Sequence, residues 1–289
     1  MSVASTLTTW IKDDIKESGT GRDGELLRYM NRVIQKAIVP TLIRFQSTIG
    51  ITEWNSDEVT ENVREVAMPT GCLAIRDLYC IDSEEDGTAQ AGTNTTITLA
   101  SDASSSDDAY NSRQVRIYGG TGDGQQKIIT DYVGSTTVAT VNSAWTTNPD
   151  STSTYIVFKE PSRSNRLKQR EPDWVRENHS STGKPQYFGI DDTNIVLGNI
   201  PDSTVRVLWG WYYKYPTSLT ATTDTVPYNG IFDHVITEYT TMRALNRDEY
   251  NTNIEQGLLS EAIDGISGIL AVRRSRTDRQ PRLAGSEDD

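Results

Sequence analysis

Apolar residues recur at helical spacing in four stretches of this chain. They cover residues 7–15, 23–44, 232–245 and 254–270, and in each stretch the apolar positions share one helical face. Pro40 lies inside the second stretch, where it lacks a backbone donor and is expected to interrupt the last turn. The pattern predicts about four helices, each packed on a core through one face.

Alternation with a period of two marks a second set of elements. Residues 62–82 look extended and are predicted to begin a sheet, which three later strands between residues 186 and 214 rejoin. Residues 83–160 contain short alternating runs bounded by turn-forming residues, which predicts an all-β insertion of small barrel or sandwich type. Residues 161–185 are polar and are expected to cross the surface.

These patterns together predict an α+β fold. Its expected parts are a helical core of about four helices with a small antiparallel sheet, and an all-β insertion domain. The predicted boundaries give residues 1–82 to the N-terminal part of the core, 83–160 to the insertion, 161–270 to the C-terminal part of the core and 271–289 to an extended C-terminal tail.

One predicted strand carries a row of aromatic side chains. The residues on one face are Val205, Val207, Trp209, Trp211 and Tyr213. Such a row can stack on sugars or bases. Aromatic residues at strand spacing more often form the contact between a sheet and helices, and we expect that arrangement here.

The glycine-rich stretch YGGTGDGQQK, residues 118–127, resembles a phosphate-binding loop in composition alone. A P-loop needs Ser or Thr after its lysine, and here Ile128 follows Lys127. The last glycine of a dinucleotide fingerprint is replaced by Gln125, and strand-like sequence follows where a helix is required. We therefore predict a turn between two strands and no nucleotide cofactor.

Composition narrows the classes of partner. The formal net charge is −12, from 28 Lys and Arg against 40 Asp and Glu, which argues against a general surface for duplex DNA. Cys72 and Cys80 are too few for a disulfide scaffold and are expected to be small buried hydrophobes. Neither a signal peptide nor a membrane span is recognisable, so we expect a protein that is made in a cytosol and contacts no membrane.

No residue pattern specifically indicates catalysis or a metal. His179 and His234 are the only histidines, and neither lies in a nucleophile or zinc motif. Adjacent carboxylates occur at 13–14, 84–85, 107–108 and 191–192. A hydrolase that uses such pairs is one alternative. Neighbouring residues on a strand point to opposite faces, however, so adjacent carboxylates do not face each other across a substrate. We predict that the protein is not an enzyme and that it has no cofactor.

The C-terminal sequence differs from the rest of this acidic chain. After Leu270 the apolar periodicity stops, and a polar segment with five arginines follows. This composition cannot bury a core and is expected to become ordered only on a partner. The arginines are Arg273, Arg274, Arg276, Arg279 and Arg282.

The order of short motifs in the second half resembles the head-to-tail adaptor proteins of tailed bacteriophages, which dock under the portal. The motifs are Gly183–Tyr187, Ile195–Leu197, Ile200–Asp202, Tyr212–Pro216 and Asp224–Pro227, followed by a helix from Phe232. The early helix LLRYMNRVIQKAI also fits this family. The insertion is similar to a β-module that recurs in phage virion proteins.

The resemblance implies a structural virion protein at the neck. Its members form a ring of twelve copies that binds the portal above and a tail or nozzle protein below, and that continues the channel through which DNA passes without specific binding. The resemblance also implies that the five C-terminal arginines bind the portal. The alternative is a glycan-binding or tail-associated β-module that contacts the host surface, with Trp145 as the candidate sugar-stacking residue.

Overall fold

In a computed structural model, the protein combines helices with several sheets, in which the described strand pairs are antiparallel except for one parallel pair. Residues 2–160, 162–246 and 252–277 are described. The chain divides into two compact units. The helical unit comprises Met1–Thr52, Gly71–Arg76 and Tyr212–Asp289, and the β unit comprises Glu53–Thr70 and Asp77–Trp211.

Each stretch with helical periodicity forms a helix of the helical unit. The second stretch is one continuous helix, in which a π-helical turn separates two α-helical parts just before Pro40. Because proline cannot donate a backbone hydrogen bond, the regular α-helical ladder cannot continue through it. The elements are α1 (Ala4–Asp14), α2 (Asp23–Val33), the π turn (Ile34–Ile38) and α3 (Val39–Arg44). Further along lie α4 (Pro172–Asn178), α5 (Asp233–Leu245) and α6 (Thr252–Thr277).

A partly buried ion-pair network joins three helices of the helical unit. Glu255 of α6 forms ion pairs with Arg32 at 2.5 Å and Arg243 at 3.0 Å. It also accepts a hydrogen bond from the Tyr239 hydroxyl at 2.6 Å. The apolar faces of the same helices form one cluster, which includes Met30 and Ile266 with no exposed surface. Packing and the network together fix α6 against α2 and α5.

Fourteen strands form three sheets among the described residues. The boundaries between the two units fall inside all three strands of one sheet, ordered β1-β14-β3. These strands are β1 (Ile51–Glu58), β3 (Cys72–Asp82) and β14 (Arg206–Lys214). A second sheet, ordered β11-β12-β13-β2, contains β2 (Glu65–Ala67), β11 (Lys168–Gln169), β12 (Tyr187–Asp191) and β13 (Asn194–Gly198).

The third sheet has seven strands, all from the segment that the sequence assigns to an insertion. Its order is β4-β10-β7-β8-β9-β6-β5. The strands are β4 (Glu85–Thr88), β5 (Ala91–Gly92), β6 (Thr96–Thr98), β7 (Gln114–Gly119), β8 (Gln126–Val133), β9 (Val138–Val141) and β10 (Thr154–Phe158). Their buried side chains form a cluster made only of residues between Ala89 and Val157. We call this part, residues 83–160, the β-module.

The aromatic strand β14 is buried, as predicted. Tyr213 packs in the cluster formed by the helices, as expected, but other residues of the row have different partners. Val207 and Trp209 pack against Ile81 of β3 and against Ile156 and Phe158 of β10. The rings of Phe158 and Trp209 meet edge to face, with centroids 5.7 Å apart. Val207 and Trp209 therefore contact the β-module instead of helices. Alternate residues of β10 point to opposite faces, so Ile156 and Phe158 face β14 while the residue between them faces the core of the β-module.

Three further features differ from the sequence predictions. The expected single small sheet is two sheets outside the β-module, and strand β1 precedes the predicted start of the first sheet. Helix α4 lies in the segment expected to be an irregular surface crossing; it has seven residues, too few for a readable period. Helix α6 continues to Thr277, past the predicted boundary at Leu270. None of the helices, within the described ranges, has the length and apolar character of a membrane span.

The glycine-rich stretch forms the turn of the β7–β8 hairpin, as predicted. Gly120 and Gly124 both have left-handed backbone angles, with φ of 74° and 82°. A Cβ added to Gly120 would lie 2.0 Å from the carbonyl oxygen of Thr152, whereas a Cβ on Gly124 would meet nothing within 4 Å. The hairpin turn therefore needs Gly120 for close approach to the neighbouring loop as well as for its angle.

We expect these two glycines to respond differently to alanine. Gly124→Ala should cost about 1–2 kcal/mol, the cost of a left-handed angle for an L-residue. Gly120→Ala should cost about 1–3 kcal/mol more, since the clash with Thr152 adds overpacking. Urea unfolding of both variants measures the difference, and equal losses would contradict the role of the close approach.

Candidate interaction surfaces

A cluster of aromatic and basic side chains lies on the surface of the β unit. Trp174 of α4 is 37 % exposed, and its ring centroid lies 5.3 Å from that of Tyr187 and 5.1 Å from that of His179. The Arg170 guanidinium lies 5.8 Å from the Trp174 ring, and the Lys168 ammonium lies 5.8 Å from the Tyr187 ring. We call these five residues the basic aromatic patch.

The patch is held by close packing of α4 on the β12–β13 hairpin. Gly198 allows this approach, because a Cβ there would lie 2.7 Å from Val175 and 2.9 Å from His179. The Arg64 side chain donates to the backbone carbonyl oxygens of Arg176 at 3.3 Å and His179 at 2.8 Å. These bonds satisfy carbonyl groups at the C-terminal end of α4, so the patch is largely ordered before any partner binds.

The helical unit carries a surface of opposite charge between α5 and α6. This groove has a volume of about 390 Å³. Its apolar lining includes Tyr239 and Leu258, while Glu238, Glu261 and Asp264 supply three carboxylates. We call it the acidic groove. Met242 also lines the groove and is 39 % exposed, so part of the apolar lining is accessible to a partner.

The turn of the β7–β8 hairpin is tied to the loop before β10. The Gln125 side-chain oxygen accepts from the backbone N–H groups of Thr146 at 2.6 Å and Thr147 at 3.1 Å. Its amide nitrogen donates to the carbonyl oxygens of Gly122 at 3.1 Å and Thr147 at 2.8 Å. The Gln125 side chain therefore joins the two loops at one end of the β-module, which is a structural role.

The five C-terminal arginines are only partly covered by the described residues. Arg273, Arg274 and Arg276 lie on the helical backbone of α6, which ends at Thr277. Arg279 and Arg282 lie outside the described residues. Leu270, shortly before these arginines, is 5 % exposed and belongs to the apolar cluster of the helical unit.

Comparison with known proteins identifies the family. The family model of the SU10 adaptor protein matches residues 108–284, which is more than half of the chain. The chain belongs to the SU10 adaptor protein family. No curated protein matches it.

Membership gives the protein a structural adaptor role in a phage virion. The match begins within the β-module and includes both surfaces described above and the C-terminal arginines. The phage adaptor expectation from the sequence motifs is therefore confirmed at the level of the family.

The adaptor's acidic pair at 84–85 does not work as one site. Glu84 pairs with Arg113 and, at 3.1 Å, with Lys159. Burial raises the pKa of Glu84, but the hydrogen bonds from these two cations outweigh it and the net pKa is lowered. Glu85 instead accepts from Tyr110 at 2.8 Å and Tyr155 at 3.2 Å in the module core, where burial raises its pKa. Each carboxylate is occupied by its own structural partners.

The remaining reactive residues of the adaptor are also structural or isolated. Burial raises the pKa of Cys72 to about 11 and that of Cys80 to about 12, so both thiols stay protonated at neutral pH. His234 is largely exposed and lies 3.5 Å from Glu238. The described part of the chain contains no cluster of His, Cys, Asp and Glu that suits a metal ion.

The structure corrects the interpretation of Trp145 as a glycan-stacking residue. Trp145 is 4 % exposed and belongs to the apolar cluster of the β-module. A ring without an accessible face cannot stack on a sugar, and burial in the module core explains its presence. The basic aromatic patch, by contrast, was missed in the sequence. Its signal was Lys168, Arg170 and Trp174 close together, while Tyr187 joins them only through the fold.

Proposed function

We propose that this adaptor forms a ring beneath the phage portal and connects the head to the tail. The family match is the observation that carries the proposal. Identical chains that contact one another through two different surfaces form a ring when the rotation between neighbours closes. The expected ring has twelve copies, in line with the resemblance to portal-docking adaptors, and it lies at the virion neck above a tail or nozzle protein.

Sedimentation velocity of the purified adaptor, alone and mixed with its portal protein, tests this proposal. We expect a closed ring in at least one of the two conditions, and electron micrographs of that species should show twelve-fold symmetry. A chain that stays monomeric in both conditions and does not bind the portal would contradict the proposal.

The C-terminal arginines are proposed to bind the portal. Guanidinium groups form bidentate hydrogen bonds with carboxylates, and five of them are concentrated after Leu270 in a chain of net charge −12. Helix α6 is fixed to the helical unit by buried Leu258, Ala262 and Ile266, so the arginines extend from a rigid support. A recessed acidic site between portal subunits suits such a segment.

The ring is proposed to continue the DNA channel without gripping DNA. An excess of negative charge repels phosphate over most of the surface. We expect the full-length adaptor to bind a duplex with a Kd weaker than about 1 μM at about 150 mM salt, measured by fluorescence anisotropy. Sub-micromolar binding that is independent of sequence would contradict this role.

The β-module is proposed to be a separable domain. Its seven strands and its apolar cluster are formed by residues of the same segment. We therefore expect an isolated fragment of residues 83–160 to unfold cooperatively in urea. Ile156 and Phe158 lose their partners outside the fragment, so a version with threonine at both positions controls for aggregation. Absence of a cooperative transition in both fragments would contradict a separable domain.

A further inference from the structure

We infer that the basic aromatic patch of one copy docks in the acidic groove of the next copy. The inference rests on the proposed ring, since it names the two faces through which the ring closes. Identical chains that repeat around a closed ring contact one another through two different, complementary surfaces. The chain offers a pair of surfaces with matching chemistry.

The basic aromatic patch and the acidic groove carry opposite charges. The groove presents the carboxylates of Glu238, Glu261 and Asp264, and the patch presents the cations of Lys168 and Arg170. Two chains of net charge −12 repel each other in most orientations. A contact that brings cations of one copy to carboxylates of the other removes this repulsion locally and selects one orientation.

The apolar surfaces match as well. Trp174 is an exposed aromatic ring at the centre of the patch, and the groove lining includes Tyr239, Leu258 and Ala262. Interface residues that dominate binding are enriched in Trp, Tyr and Arg, all of which the patch contains. The groove volume of about 390 Å³ is within the range of pockets that enclose a small ligand, so it offers space for an aromatic anchor.

Preorganisation favours the same pairing. Arg170 and Lys168 already lie over aromatic rings, and α4 is fixed by Arg64 and by the close approach at Gly198. Little side-chain freedom is then lost on docking. An anionic nucleic acid would match the cations but would be repelled by the acidic groove, so a second copy matches both surfaces better.

Reciprocal charge reversal tests the pairing in the full-length chain. The patch variant carries Lys168→Glu and Arg170→Glu, and the groove variant carries Glu261→Lys and Asp264→Lys. In each variant alone, the two surfaces have the same sign, and we expect association to weaken by roughly 100-fold. In an equal mixture, each patch meets a groove of opposite sign, so rings of alternating variants should form again.

The assay uses sedimentation velocity under the condition, with or without portal, in which the unsubstituted chain assembles. A control with Lys36→Glu and Arg44→Glu, two exposed cations outside the patch, changes the net charge as the patch variant does and should assemble normally.

Carbodiimide cross-linking of mixed ¹⁵N-labelled and unlabelled chains should join Lys168 of one copy to Glu261 or Asp264 of another.

The outcomes separate this inference from the proposed ring. Loss of assembly in each variant and recovery in the mixture support the pairing. Normal assembly of either variant, or no recovery in the mixture, overturns the pairing while the ring stands. A patch variant that assembles but loses portal binding also overturns it, because the patch then serves the portal. If the unsubstituted chain never assembles, the ring and this inference both fail.

Discussion

Replacing Arg206 with methionine is expected to destabilise the β unit by about 3 kcal/mol. The side chain of Arg206 is 5 % exposed, and its guanidinium donates to Asp82 at 2.6 Å and Asp202 at 2.5 Å. Lys184 binds the second oxygen of Asp82 at 2.5 Å. Removing the central cation leaves carboxylates without their main partner. Both carboxylates keep some access to water, which places the expected loss at the low end of the range for a broken buried pair.

The same network makes stability depend on pH in a defined direction. Burial raises the pKa of Asp82, but the hydrogen bonds from Lys184 and Arg206 outweigh it and the net pKa is lowered. The hydrogen bond from Arg206 lowers the pKa of Asp202. A carboxyl whose pKa is lower in the folded state contributes stability above its unfolded pKa, near pH 4, and loses it as the pH falls through the folded value. Acid below about pH 4 should therefore weaken the unsubstituted β unit more than the Arg206→Met variant.

Urea unfolding at pH 7 and at pH 3 measures both effects. Lys159→Met is a suitable control, because its side chain is 64 % exposed and forms a surface ion pair with Glu84. A surface pair of this kind contributes about 0–1 kcal/mol. Combining Arg206→Met with Asp82→Asn and Asp202→Asn should recover part of the loss, since the carboxylates are then neutral. A loss no larger than that of the control would show that the network does not stabilise the unit.

The elements that the sequence predicts best are those with one buried face and sufficient length. Helix α5 and the part of α6 up to Leu270 follow from apolar spacing, and the glycine-rich turn follows from the strand patterns on both sides. Helix α4 has seven residues and one buried position, Val175, so its period is too short to read. It is stabilised by packing on glycines of a hairpin, which is information that only the fold contains.

The candidate surfaces were also hard to predict, because each combines residues that only the fold brings together. The sequence contains the cations and Trp174, but Tyr187 joins them only because β12 lies beside β11 and α4. The acidic groove combines residues from two helices whose apolar faces were expected to be fully buried. Buried Trp145 shows the opposite case, in which an aromatic residue in a polar segment belongs to a core.

Removing the chain after Leu270 is expected to abolish portal binding while leaving the adaptor folded. The shortened chain keeps Leu270, which is buried in the apolar cluster, and Glu255, which joins α6 to Arg32 and Arg243. The helical circular dichroism should therefore fall only by the residues removed, and the unfolding midpoint should stay within a few degrees. All five arginines are lost with the segment.

Binding should be lost because the arginines act together over many copies. The contact of a single copy with the portal is small and binds weakly, whereas linked copies in a ring multiply the effective affinity by roughly 10²–10⁴. A full-length variant with glutamine at all five arginines separates the effect of charge from that of length. Sedimentation velocity of each variant mixed with the portal protein measures binding, and we expect this variant to fail as the truncated chain does. A second truncation after Thr277 keeps three of the five arginines and should retain partial binding.

Undiminished docking of the chain that ends at Leu270 would exclude this segment as the portal contact. The portal-facing surface would then have to lie within the folded units.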